Sequence, residues 1–115
     1  SKFSEYHPNI RNEKDHKASV WFELNEEPVF AFAGIWTKFA GHYKGEFGSF
    51  ETYSIITTTP NELVKPIHQS RMPVIIEHAD YGSWLSGSLE RAGGLMKKYP
   101  ANQMKIANIG LNTDD

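Results

Sequence analysis

Hydrophobic and polar side chains alternate along residues 18–24, so that alanine, valine, phenylalanine and leucine fall on one face. A period of two is typical of a strand that is buried on one side. Residues 29–36 are almost all apolar, which favours a strand covered on both sides. The turn-forming residues 25–28, Asn-Glu-Glu-Pro, separate these two segments, and we therefore expect a β-hairpin.

The remaining pattern predicts short elements around this hairpin. Strands are expected at 3–6, 50–58, 72–76 and 104–109, short helices at 79–85 and 89–97, and loops at 8–17 and 41–49. The second loop is rich in glycine and is interpreted as mobile. Thr59-Pro60-Asn61-Glu62 has the sequence of a capping box with Thr59 as N-cap, and Pro66 ends the helix within two turns. The predicted fold class is α+β and mainly β.

The composition indicates the cellular compartment of the protein and the kinds of site that it can contain. A length of 115 residues with 39% hydrophobic residues suits one domain or part of one. The sequence has no cysteine, which excludes disulfides and thiolate chemistry within it and fits the cytoplasm. No stretch approaches the roughly 20 apolar residues of a membrane span, and residues 1–6 do not resemble a signal peptide. We therefore expect a cytoplasmic protein without a membrane partner.

The formal net charge of −2 bears on nucleic-acid binding. Domains that bind nucleic acids usually carry a basic surplus. Any such contact must then come from a local group of residues or from polypeptide outside this sequence.

His68 and Arg71 stand at the start of the apolar segment 72–76. Histidine titrates near neutral pH, and arginine presents a planar fork of donors for phosphate or carboxylate. The pair therefore indicates acid–base chemistry on an anionic ligand. The same pattern also fits an exposed histidine and arginine on a helix-to-strand loop.

Glu5 lies between aromatic residues in a predicted strand. A carboxylate there loses hydration, and its presence makes sense if it acts with a partner such as His68 as a general base. An exposed glutamate at a frayed terminus explains the same pattern.

Motifs of other site classes do not occur in the sequence. The five histidines are scattered, and residues 82–87 do not match the elbow of a serine nucleophile. Gly93-Gly94 lacks the lysine and threonine that complete a phosphate-binding loop. We therefore expect no metal and no cofactor.

Four segments of the chain resemble segments of the SRAP family (SOS response-associated peptidase-like proteins). They occur in the same order and at similar spacing, and they are Phe3-Ser4-Glu5-Tyr6-His7, Pro28-Val29-Phe30-Ala31-Phe32-Ala33-Gly34-Ile35-Trp36, Thr57-Thr58-Thr59-Pro60-Asn61 and Ile67-His68-Gln69-Ser70-Arg71-Met72-Pro73-Val74-Ile75-Ile76. The resemblance runs from Phe3 to about Ile106 and covers the C-terminal half or so of the family's domain. Residues 1–115 are therefore expected to be the C-terminal part of a single domain that lacks the N-terminal segment bearing the nucleophile.

The resemblance implies an open, barrel-like β-rich fold, incomplete in this chain, and a role in the DNA damage (SOS) response. Proteins of this family bind single-stranded DNA and crosslink covalently to abasic sites. Their nucleophile is a cysteine exposed by autoproteolytic removal of the leading methionine, and its amine and thiol close a ring on the sugar aldehyde. By the same resemblance, Glu5 and His68 are the catalytic proton-transfer groups, Arg71 contacts a phosphate, and Thr57 lies near the sugar-phosphate.

The sequence departs from the family pattern in three places. The Met-Cys-Gly-Arg start does not occur, two residues separate His68 from Arg71 where many members have one, and Tyr6-His7 replaces a more common tryptophan. Two functions therefore remain open: part of a crosslinking protein, or a catalytically inactive fragment that acts as a binding module. In either case we expect the exposed sheet edges to be covered by the protein's own N-terminal segment or by self-association.

Overall fold

Nine strands and two α-helices follow one another in residues 1–112, the part of the chain that the computed structural model describes. The strands are β1 (Phe3–Arg11), β2 (Lys17–Leu24), β3 (Ala31–Phe32), β4 (Gly34–Tyr43), β5 (Glu46–Ile55), β6 (Thr57–Thr58), β7 (Met72–Pro73), β8 (Ile75–Ile76) and β9 (Met104–Gly110). The helices α1 (Tyr81–Ser86) and α2 (Leu89–Leu95) lie between β8 and β9. All the strand pairs within these residues are antiparallel. The predicted class, mainly β with short helices, is confirmed.

β2 is the central strand of a three-stranded sheet in the order β1-β2-β9. Its alternate residues Ala18, Val20, Phe22 and Leu24 are buried, as their period of two predicts. Phe3 on β1 stacks on Phe22 with ring centroids 5.2 Å apart, which joins the first strand to the core. The predicted hairpin between residues 18–24 and 29–36 is wrong, because β1 and β9 already occupy both edges of β2.

Three predicted strands are each broken at a single residue. Ala33 separates β3 from β4, Ile56 separates β5 from β6, and Val74 separates β7 from β8. These three residues bond to one another through their backbones. The Ala33 N–H donates to Val74 O (2.8 Å), the Val74 N–H donates to Ile56 O (2.9 Å), and the Ile56 N–H donates to Ala33 O (2.9 Å). The strands exchange partners at this point, so three two-stranded sheets, β3-β8, β4-β5 and β6-β7, meet here in place of one continuous sheet.

The predicted mobile loop at residues 41–49 is instead the end of a long hairpin. β4 and β5 pair without interruption from Gly34↔Ile55 to Tyr43↔Glu46. Lys44 and Gly45 form the two-residue turn, and both have positive φ (51° and 82°), as a type I′ turn requires. The glycines of residues 41–49 predicted flexibility. Instead, aromatic contacts between the two strands, His42 with Phe47 and Tyr43 with Phe50, keep the segment extended.

The predicted capping box is also corrected. Residues 62–67 form turns and not a helix, and the capping side chain belongs to Asn61 and not to Thr59. Two element ends differ as well: β1 continues into the predicted loop as far as Arg11, and α2 ends at Leu95. Neither α-helix in residues 1–112 has the length and hydrophobicity needed to cross a bilayer.

Candidate active site

Glu5 lies on the core-facing side of β1. Side chains alternate along a strand, so Phe3, Glu5 and His7 share one face. Phe3 is buried, whereas Glu5 and His7 are half-buried. The edge of the core therefore lies between Phe3 and Glu5. Glu5 pairs with Val20 on the central strand, and its backbone position is therefore fixed by the sheet. Its carboxylate extends from a rigid strand at the margin of the core.

His68 is held at the end of a turn that Asn61 organises. The Asn61 side chain is 1% exposed, and its Oδ1 accepts from the backbone N–H groups of Leu63 (3.1 Å) and Val64 (3.0 Å). Its Nδ2 donates to Tyr99 O (2.6 Å), which ties the turn to the segment before β9. The His68 N–H then donates to Val64 O (2.9 Å) and closes the turn. A buried asparagine with both ends bonded thus fixes the backbone of His68.

The imidazole of His68 is oriented by one further contact. Its Nδ1 accepts from the backbone N–H of Arg71 at 3.3 Å. With Nδ1 as acceptor, the neutral ring carries its proton on Nε2. His68 therefore presents the N–H of Nε2 as a hydrogen-bond donor.

Glu5 and His68 line the same surface cleft of about 360 Å³, although 63 positions separate them in the sequence. The other lining residues are Tyr6, Pro8, Lys17, Ile67, Gln69 and Ser70. Within residues 1–112, Glu5 and His68 form neither an ion pair nor a hydrogen bond with each other. Both groups are therefore free to bond a molecule bound in the cleft.

Neither Arg71 nor Thr57 lines this cleft. Thr57 pairs with Pro73 and Thr58 pairs with Met72, so Arg71 follows at the end of the same short ladder. Arg71 is exposed, and its backbone bonds the His68 ring. The structure thus places Glu5 and His68 in one cleft, with Arg71 bonded to the His68 ring and Thr57 on the strand that pairs with β7.

A second and larger cleft, of about 740 Å³, is richer in carboxylates. Glu26, Glu27 and Glu77 line it, together with Tyr99. Burial raises the pKa of the Tyr99 hydroxyl, and the carboxylates of Glu77 and Glu27 raise it further. A phosphate backbone would be repelled here, so the cleft of Glu5 and His68 is the better candidate for an anionic ligand.

Within residues 1–112, no three histidine, aspartate or glutamate side chains are placed so that together they could hold a metal ion. Two residues of the candidate site were missed from the sequence. Asn61 was interpreted as an interior residue of a capping box, although an asparagine followed by Glu62, Leu63 and Val64 fits an N-cap equally well. Lys17 precedes a core strand, and nothing in the sequence links it to His68.

Comparison with known proteins identifies the family of this chain. The sequence profile of the family described as SOS response associated peptidase (SRAP) matches residues 2–112. The abasic site processing protein YoaM of Bacillus subtilis is 35% identical over 96 residues, which are 81% of this chain and 40% of that protein. The abasic site processing protein YoqW of the same organism is 34% identical over 81% of this chain and 41% of its own length.

Two crystal structures share the fold. A protein from Bacteroides thetaiotaomicron superposes with a TM-score of 0.69 at 30% identity over 90% of this chain and 44% of that one. A protein from Bordetella bronchiseptica gives the same TM-score at 21% identity over 90% of this chain and 49% of its own. The chain spans about two fifths of the length of the curated relatives that it matches. Since the family profile covers nearly all of its residues, the chain belongs to the SRAP family.

Proposed function

We propose that this chain supplies the proton-transfer groups of a protein that binds single-stranded DNA and crosslinks covalently to abasic sites. The observation that carries the proposal is the shared cleft of Glu5 and His68. The names of the relatives, which are abasic site processing proteins, support the same substrate.

The chemistry needs one group that accepts a proton and one that donates it. An abasic sugar in its open form carries an aldehyde, and an amine that attacks it must lose a proton while the carbonyl oxygen gains one. In this proposal the Glu5 carboxylate accepts the first proton, and His68 donates the second from Nε2. The chain contains no cysteine, so the thiol that closes the ring comes from a segment outside these residues. The same two groups would assist autoproteolytic removal of the leading methionine.

DNA binding is assigned to the surface next to His68. In this proposal Arg71 donates to phosphate oxygens. The Thr57 hydroxyl, on the strand that pairs with β7, contacts the sugar-phosphate. Tyr6 lines the cleft and is 67% exposed, so its ring is available to stack on a base beside the lesion. Single-stranded DNA suits this arrangement because its bases are already unstacked.

A second candidate is a binding module without catalysis of its own. These residues offer a cleft for a ligand but no thiol of their own. This module would bind abasic DNA through the same cleft but would form no stable adduct.

Intact-mass analysis separates the two. The full-length gene product is incubated with a single-stranded oligonucleotide that bears one abasic site, with a tetrahydrofuran analogue that lacks the aldehyde, and with a double-stranded abasic substrate. The proposal expects an adduct with the first, none with the second and less with the third. Binding of the first two oligonucleotides with equal affinity and no adduct with either would support the binding module.

A further inference from the structure

Lys17 is the only primary amine among the eight residues that line the cleft of Glu5 and His68. It begins β2 and pairs with Arg11 across the sheet, so its backbone is fixed at the rim. Within residues 1–112 its Nζ has no ion-pair or hydrogen-bond partner. Its neighbour Arg11, in contrast, donates to the Asp15 carbonyl oxygen at 2.6 Å, and Lys105 pairs with Glu23 at 3.1 Å.

The Ser1 nitrogen donates to the carbonyl oxygen of Pro28 and does not line the cleft. The amine that shares a cleft with both proton-transfer groups therefore belongs to Lys17.

We propose that Lys17 captures the aldehyde of an abasic site as an imine, so that this chain forms a reversible covalent adduct without any thiol. This inference rests on the proposed function of the cleft. Lysine amines form Schiff bases with carbonyl substrates when a neighbouring group handles the protons. The neutral amine is the attacking form, and Glu5 lies in the same cleft to accept the proton that a charged lysine must lose.

The step balances without an external oxidant or reductant. The lone pair of Nζ forms a bond to C1′ of the sugar, and the carbonyl oxygen takes a proton from Nε2 of His68 to give a carbinolamine. The nitrogen returns one proton to His68, Glu5 passes the proton that it took from the charged lysine to the hydroxyl group, the C–O bond breaks, and the oxygen leaves as water to give a protonated imine. The products are one imine and one water, and hydrolysis reverses the step.

Reductive trapping tests the assignment. The 115-residue chain is incubated with a single-stranded oligonucleotide bearing one abasic site in the presence of sodium cyanoborohydride, which reduces the imine to a stable amine. Wild type, Lys17→Arg and Lys105→Arg are compared by intact mass, and the trapped lysine is located by peptide mapping. Lys17→Arg keeps the positive charge but cannot form this imine. Lys105→Arg is the matched control, because Lys105 lies on β9 opposite Glu23, near the other end of β2.

The inference expects trapped product on Lys17, a loss of at least about tenfold in Lys17→Arg, and a yield within about twofold of wild type in Lys105→Arg. Fluorescence anisotropy should show that Lys17→Arg still binds the oligonucleotide, since its charge is unchanged. A lysine that only contacts phosphate would leave the trapping yield of Lys17→Arg intact, and that result would overturn the inference.

Failure of this inference is distinguishable from failure of the proposed function. Trapped product on Ser1 or on other lysines, or none despite DNA binding, overturns the role of Lys17. The proposed function is judged separately by the adduct of the full-length gene product without any reductant.

Discussion

Asn61 determines where His68 lies, because it is the buried residue that bonds both the turn before the histidine and the segment before β9. In Asn61→Ala, two backbone N–H groups and one carbonyl lose their partner away from water. We expect a loss of about 2–4 kcal/mol in the free energy of unfolding, measured by urea denaturation.

The matched control is Asn102→Ala. Asn102 is exposed, and its backbone carbonyl accepts from Asn25 whatever its side chain. Its free energy of unfolding should stay within about 0.5 kcal/mol of wild type. Equal effects of the two substitutions would show that Asn61 does not organise the turn.

Arg71 is expected to act on DNA binding and not on chemistry. Arg71→Ala removes one exposed charge beside His68 and leaves the backbone N–H that bonds the imidazole. Affinity for single-stranded abasic DNA should fall by about 1 kcal/mol, and the salt dependence of binding should decrease by about one phosphate contact. Arg91→Ala, an exposed arginine on α2, is the control and should change neither quantity.

At the residue scale, the sequence identified part of the candidate site. Glu5 and His68 were assigned through resemblance, and the geometry places them in one cleft. Lys17 joins that cleft only because β1, β2 and the turn before β7 meet there, which is a long-range property of the fold. A local pattern cannot contain this information.

At the element scale, periodicity predicted the strands that carry core residues and failed where strands change partners. β2 was predicted nearly to its ends because its alternation reflects one buried face. The exchange at Ala33, Ile56 and Val74 depends on three backbone hydrogen bonds between distant segments, and apolar residues continue through each break. The hydrophobic pattern therefore predicted one strand at each of three places where the structure has two.

The β4–β5 turn offers a test of the corrected hairpin. Gly45→Ala forces an alanine into positive φ and should weaken the hairpin by about 1 kcal/mol. Lys44→Asn should strengthen it, because asparagine is favoured at this position of a type I′ turn. Hydrogen exchange of the β4–β5 amides should be faster in the first variant and slower in the second. If residues 41–49 were a mobile loop, neither substitution would alter exchange.

At the scale of the whole molecule, the hairpin projects away from the core. The radius of gyration is 16.8 Å, whereas a compact domain of about this length has roughly 13 Å. Trp36 and Tyr53 face each other across the hairpin and are 68% and 83% exposed. Aromatic surface of this extent on a sheet usually marks an interface.

We therefore expect this chain on its own to cover the hairpin with a second copy. Sedimentation velocity should show association that increases with concentration, and a Trp36→Ser/Tyr53→Ser variant should shift the sample toward monomer. A compact monomer at all concentrations would contradict the expectation.

The central claim is that Glu5 and His68 act together on an abasic sugar. The most direct test is a double-mutant cycle on the rate of adduct formation by the full-length gene product, with Glu5→Gln, His68→Gln and the double variant followed by intact mass. Each single substitution should slow the reaction by about 10²-fold or more, and the double variant should be no slower than the slower single variant, because the groups serve one proton-transfer sequence. Single substitutions without effect, or effects that multiply in the double variant, would contradict a shared site.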